Sequence, residues 1–263
     1  MAKVTSKDGT HIAFDRAGNG PALILVGGAL SDHSGSAPLA KLLAPHFTVF
    51  SYDRRGRGGS GDKAPYAVER EIEDIDALIT EAGGAAFVHG HSSGAVLALD
   101  AATKLPARIR KLSVYEPPFI TDDSRSLPPE GYDRKISELV ANNRRADAVE
   151  YFMTAVVGAP APAVAEMRKS PMWKGMEGLA HTLPYDIAVL DGRMSGKSLT
   201  KAEWEGLSVP ALVMDGGASP PWIRNSAVAL AKALPNAQHK TLAGQQHNAA
   251  PDVVAAELVK FFS

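Results

Sequence analysis

Short apolar runs alternate along this chain with longer segments whose apolar residues recur every three or four positions, and that rhythm limits the folds open to it. A run such as Ala22-Leu23-Ile24-Leu25-Val26 has no polar face, so as a strand it must be covered on both sides. The runs Phe47 to Tyr52, Ala85 to Val88, Ile109 to Tyr115, Ala211 to Met214 and Gln238 to Leu242 read as further strands. Between them, Leu39 to Leu43, Tyr66 to Ala82, Ser93 to Ala102, Pro221 to Leu234 and Asp252 to Phe262 read as helices. In the Tyr66 to Ala82 segment the stripe is Val68, Ile72, Ile75, Leu78 and Ile79 with acids between; in the last helix Val254, Leu258 and Phe261 are the expected inner stripe. Repeated β-then-α order predicts an α/β fold, a mostly parallel central sheet with helices on both faces. Ahead of it, Lys3 to Asp15 reads as two alternating strands joined at Asp8-Gly9, a tight-hairpin signal.

The rhythm breaks after Pro117. The following stretch is rich in Pro and Gly, has no strong strand and carries three expected helices, Asp133 to Asn142, Ala146 to Val157 and Pro162 to Lys169. The simplest division is a core of residues 1–117 and 208–263 with a helical cap, residues 118–207, inserted after the sixth strand. The insertion's Tyr151, Phe152, Met153, Met167, Met172, Trp173 and Met176 read either as the lining of an apolar pocket or as helix core.

Composition removes several classes of function. With no cysteine among 263 residues, disulfides, thiolate metal sites and a Cys nucleophile are excluded. The 28 Lys and Arg balance 29 Asp and Glu, with no basic cluster of the kind that phosphate backbones require, so no nucleic-acid partner is expected. Met1 to Phe14 contains no apolar run of signal-peptide length, and no segment approaches the ~20 apolar residues that span a bilayer. A cytoplasmic protein without a membrane partner is expected; the oligomeric state stays open. No His-Glu-x-x-His run occurs, and the glycines of Gly56 to Gly61 do not open a helix as a dinucleotide fingerprint must, so neither metal nor cofactor is expected.

The chemistry centres on Gly90-His91-Ser92-Ser93-Gly94, a Gly-x-Ser-x-Gly pattern where an expected strand ends and a helix begins. A serine on so tight a turn has a strained backbone, needs small neighbours two residues away on each side, and has its hydroxyl pushed clear of the sheet. The helix that starts there aims unpaired amides and its positive dipole end at the same spot. Ser92 is thus the candidate nucleophile. A hydroxyl needs a base within hydrogen-bond reach, usually an imidazole.

These residues, together with Tyr52-Asp53-Arg54-Arg55-Gly56-Arg57-Gly58-Gly59-Ser60, resemble the α/β-hydrolase superfamily, whose Asp-x-Arg-Gly-x-Gly-x-Ser loop follows the fourth strand. The resemblance covers most of the chain outside the insertion and implies a serine hydrolase with a helical cap. It implies His247, between the last strand and the last helix, as the base, completing the order Ser, acid, His. His91 reads as a support or pocket residue. Where the family usually carries its acid, this chain has Ser219. Two carboxylates stand in: Glu116, which ends the strand before the insertion as in some family members, and Asp215, which would have to turn back toward His247. Glu116 also has a plainer reading as a carboxylate bonded to loop amides. By the same resemblance the amides of Ala29 and Ser93 form the oxyanion hole, although the usual His-Gly after the third strand is here Gly27-Gly28, which removes a side chain that often braces the loop.

The implied reaction is hydrolysis of an ester or related acyl bond in a small, fairly apolar molecule through an acyl-Ser92 intermediate. The scaffold equally supports C–C bond hydrolysis, lactone opening and perhydrolysis, and a ligand-binding or regulatory protein with little turnover is the rival from another class.

Overall fold

The computed structural model describes residues 1–263. Eight strands form one sheet in the order β1-β2-β4-β3-β5-β6-β7-β8. They are β1 (Ala2–Thr5), β2 (His11–Ala17), β3 (Ala22–Val26), β4 (Thr48–Tyr52), β5 (Ala86–His91), β6 (Ile109–Tyr115), β7 (Ala211–Gly216) and β8 (Ala237–Leu242). β1 and β2 pair antiparallel, as do β2 and β4; every other pair is parallel.

Side chains alternate across a strand, so each parallel strand feeds two cores. In β3, Ile24 and Val26 enter the larger core while Leu23 and Leu25 enter the smaller; in β7, Val213 and Met214 divide the same way. This is why these runs contain no polar face. Helices α1 (His33–Leu43) and α10 (Pro251–Phe262) cover the smaller core, and α2 (Val68–Glu81), α3 (Ser93–Lys104) and α9 (Pro221–Ala233) the larger. Between β6 and β7 lie α4 (Tyr132–Ala141), α5 (Arg145–Tyr151) with a π-helical turn at Phe152–Val156, α6 (Ala161–Met167), α7 (Pro171–Leu179) and α8 (Leu183–Val189). Ile136, Val149, Trp173 and Leu183 from this insertion belong to the larger core, so insertion and sheet share one apolar interior.

Four expectations change. The β1–β2 connection is the five-residue Ser6–Thr10, closed by Ser6 N–H to Thr10 O at 2.8 Å, rather than a tight two-residue turn. Asp8 lies within this turn, its carboxylate accepting from the Thr10 amide at 2.9 Å and from Arg55 at 3.0 Å, and Gly9 takes φ 88. α1 begins six residues before the expected Leu39, with the Asp32 side chain accepting from Ser34 N–H and Pro38 inside the helix. The inner stripe of α10 is Val254, Leu258 and Phe262, steps of four, while Phe261 stays partly exposed. Phe262 stacks on Phe87 with centroids 4.8 Å apart and meets Phe47 edge-on at 6.1 Å, pairs that add about 0.5–1.5 kcal/mol each beyond burial. Finally, α7 and α8 extend the helical insertion past the three helices expected. Of its aromatic and Met residues, Phe152, Trp173 and Met176 are buried as core, Tyr151, Met153 and Met167 pack partly buried against it, and Met172 is 60% exposed.

Candidate active site

Ser92 joins β5 to α3 at φ 56 and ψ −126, a conformation sparsely populated for a residue with a side chain. The flanking glycines are required by volume. A Cβ on Gly90 would lie 2.5 Å from the Gly94 carbonyl oxygen and 2.7 Å from Ala95 Cα, and one on Gly94 would run into the carbonyl oxygens of Val26 and Gly27. Although Ser92 occupies the N-cap position of α3, its hydroxyl does not cap the helix and is half-buried, open to a partner. Neither the Ser93 nor the Ala29 amide is engaged in a backbone hydrogen bond of the surrounding turns and loops.

The structure brings His247 to this corner. Its loop is stapled to the strand ends: Tyr115 OH donates to Gln246 O at 2.6 Å, His91 Nε2 to His247 O at 3.0 Å, and the Ala218 amide to Gln245 O at 2.8 Å. The His91 and His247 rings lie 4.7 Å apart, which sets His247 beside the residue that precedes Ser92. Its Nδ1 meets Glu116 Oε2 at 2.7 Å. Nδ1 is then the donor and Nε2 is left as the proton acceptor. His247 is 39% exposed and Glu116 fully buried.

Glu116 follows β6 at φ 47, and its Oε1 accepts the Gly216 amide at 2.8 Å, so both readings of this residue hold: it bonds a loop amide and it meets the imidazole. Burial alone would raise its pKa. The His247 contact, the Ser219 hydroxyl beside it, although outside strict hydrogen-bond geometry, and the Gly216 amide outweigh burial and hold the carboxyl below its ordinary value. Asp215, the other candidate, does not meet His247; its Oδ2 contacts His239 Nε2 at 2.6 Å on the far side of β7 and its Oδ1 is unpaired. Burial, then the proximity of His247, lower the pKa of His91 to about 3, so it stays a neutral support.

A network of buried charge beneath the elbow went unread in the sequence. Arg54 and Arg57, at two of the three variable positions of the loop after β4, are 2% and 1% exposed, and both reach Asp186 of α8. Arg54 Nη1 meets Asp186 Oδ1 and Arg57 Nη2 meets Asp186 Oδ2, each at 2.7 Å. Arg54 also forks onto Glu71 at 2.7 and 2.6 Å, and Ser93 Oγ donates to Asp186 Oδ1 at 2.8 Å. Burial would raise the Asp186 carboxyl, but the Arg57 and Arg54 guanidiniums overcome it and hold it low. Around this point Tyr185 stacks on Tyr66 at 4.0 Å and His181 Nε2 donates to Gly56 O at 2.7 Å, docking α8 and the turn before it onto the loop. Only the spacing of three arginines in one Gly-rich loop hinted at it.

Asp32, His33 and Asp53 place three possible metal ligands within 4.8 Å of one another. Asp53 is already committed, Oδ1 to the amide and ring of His33 and Oδ2 to the Gly59 amide, so the group reads as loop packing.

A strained serine between β5 and a helix, in a mostly parallel sheet with a helical insertion after β6, defines the alpha/beta hydrolase class. The model of the alpha/beta hydrolase family matches residues 23–257, and the chain belongs to that family. A solved alpha/beta hydrolase from Sphaerobacter thermophilus DSM 20745 is 56% identical, with each chain fully covered and a TM-score of 0.94. An uncharacterized hydrolase of Bacillus subtilis (strain 168), YraK, is 34% identical over 113 residues, 41% of this chain and 42% of that protein. A thermophilic esterase from Thermogutta terrifontis shares the fold at 21% identity, covering 99% and 97% of the two chains with a TM-score of 0.72. No helix is long and apolar enough to cross a membrane.

Proposed function

We propose that the protein is a serine hydrolase that cleaves an ester or related acyl bond of a small, fairly apolar molecule. The observation that carries this reading is the 2.7 Å contact between His247 Nδ1 and the buried Glu116 carboxylate, beside a serine whose hydroxyl is not used by its own helix. In this reading His247 Nε2 takes the Ser92 proton as Oγ bonds to the substrate carbonyl carbon, and the carbonyl electrons move to oxygen. The Ala29 and Ser93 amides receive that oxyanion, needing no reorganisation as charge appears. Collapse breaks the bond to the leaving group, which takes the proton from His247 and departs. Water then repeats both steps on the acyl enzyme. Glu116 fixes the ring's tautomer and offsets the imidazolium charge. We read residues 118–207 as a cap that keeps the acyl group from bulk water, with the core in residues 1–117 and 208–263.

The test combines a fluorophosphonate probe with turnover of p-nitrophenyl acetate. The wild type is expected to be labelled and to hydrolyse the ester, and Ser92→Ala to do neither above background. Undiminished labelling and turnover in Ser92→Ala would remove Ser92 from the chemistry. Labelling of the wild type without turnover of any short ester would favour a ligand-binding role.

A further inference from the structure

Gly28 and Ala29 share one peptide unit, and in a trans peptide the carbonyl and the amide hydrogen project from opposite edges. Whatever grips the Gly28 carbonyl therefore decides where the Ala29 N–H points. A Gly27-Gly28 sequence has little conformational stiffness of its own to make that choice. Two donors make it instead: Arg57 Nη1 at 2.6 Å and Ser31 Oγ at 2.9 Å, together occupying the carbonyl's lone pairs. Arg57 Nη1 also reaches Ser31 O at 3.1 Å. The peptide borders the elbow, since a Cβ on Gly28 would stand 2.9 Å from Ser92 Cβ.

Arg57 is itself held, its Nη2 on Asp186 Oδ2 at 2.7 Å. The same carboxylate accepts the hydroxyl of Ser93, whose amide is the other candidate oxyanion donor. A single buried side chain from α8 thus braces both halves of the hole. The arrangement needs a fork: one guanidinium nitrogen serves the backbone carbonyl while the other serves the carboxylate, which a lysine ammonium at one point does not reproduce.

We propose that Arg57 is a positioning residue of the oxyanion hole. Braced by Asp186 and assisted by Ser31, it fixes the Gly28–Ala29 peptide so that the Ala29 N–H faces the oxygen that gains charge when Ser92 attacks. This rests on the serine-hydrolase reading above.

The experiment measures kcat and KM for p-nitrophenyl acetate, inhibition by phenylboronic acid, whose serine adduct is tetrahedral and anionic, and thermal unfolding. The variants are Arg57→Lys, Ser31→Ala and Ser31→Thr. Loss of a whole oxyanion donor costs about 10²–10³ in kcat. Arg57→Lys, which keeps the charge but loses the fork, is expected to lower kcat by roughly tenfold or more, with KM within about twofold and boronate affinity weakened in parallel. Ser31→Ala is expected to lose roughly threefold in both readouts, and Ser31→Thr, which keeps the hydroxyl, to restore them. If Arg57→Lys does not fold, the Ser31 pair decides the matter alone. Unchanged kcat, or a fall in kcat without a matching loss of boronate affinity, overturns the proposal. Failure of the underlying reading looks different: Ser92→Ala would retain turnover, whereas failure of this proposal leaves Ser92-dependent turnover intact in the Arg57 and Ser31 variants.

Discussion

Two buried clusters of charge flank Ser92, and they are built on opposite plans. On one side Arg54 and Arg57 face Glu71 and Asp186, every carboxylate oxygen accepts from a guanidinium nitrogen, and none of the four side chains is more than 2% exposed. On the other, one buried carboxylate, Glu116, faces an imidazole that is 39% exposed. Guanidinium groups do not titrate in proteins, and here they outweigh burial and hold the Glu71 and Asp186 carboxyls below their ordinary values, so the first cluster stays ionised and holds geometry. The imidazole of the second pair is open to solvent, whereas the first cluster is closed to it. The contrast separates groups that hold the elbow from groups suited to act at it.

The sharpest way to break this comparison is Glu116→Gln. It keeps the volume but removes the charge that orients the ring, and a fall in kcat of about 10³–10⁴ is expected with thermal stability nearly unchanged. Steady-state kinetics that stayed within tenfold of wild type would move Glu116 into the structural group. Asp186→Ala should act on stability as well as on turnover, because it leaves the Arg57 guanidinium without a carboxylate in a closed site and takes from Arg54 one of its two. A loss of about 3–5 kcal/mol is expected, seen as a melting temperature lower by roughly 10 °C. A drop of under about 2 °C would mean that water reaches the cluster.

Acid tests a third kind of buried group. Burial depresses His89 to about 4 and His91 to about 3, so the folded chain refuses protons that the unfolded chain accepts near 6.5. Stability should therefore fall as pH drops from about 6.5 toward 4, with His89 alone responsible for about 2 kcal/mol at pH 5. Thermal melts at pH 7 and pH 5 should differ less for His89→Asn than for wild type; equal differences would show that His89 takes its proton in the folded state. The smallest effect is expected from Asp215→Asn. Its carboxylate faces His239 and not His247, so ester turnover should fall by less than about tenfold, and a larger loss would reopen the choice between the two acids.

The sheet was legible because burial on both faces leaves a direct mark: Leu23 to Val26 had to be apolar at every position. The elbow was legible because Gly90 and Gly94 are dictated by volume. Glu116 was readable as a strand-end carboxylate, although its positive φ was not. The guanidinium cluster was hidden by distance, since Arg57 and Asp186 stand 129 residues apart and charged residues in a Gly-rich loop read as solvated. Helices α7 and α8 were hidden by their own first turns. Pro171 and Pro184 look like breakers in sequence but occupy positions where the missing N–H costs nothing, and Gly175 and Gly178 dilute the periodicity of α7.

The seat of Gly94 ties the end of β3 to the first turn of α3 with no gap for a single methyl group. Those two segments must travel as one rigid body, and a disturbance at either is delivered undamped to the other. Neighbouring enzymes with this architecture that differ in what they accept would accordingly be expected to vary in the helices above, where side chains, and not bare backbone, form the contacts.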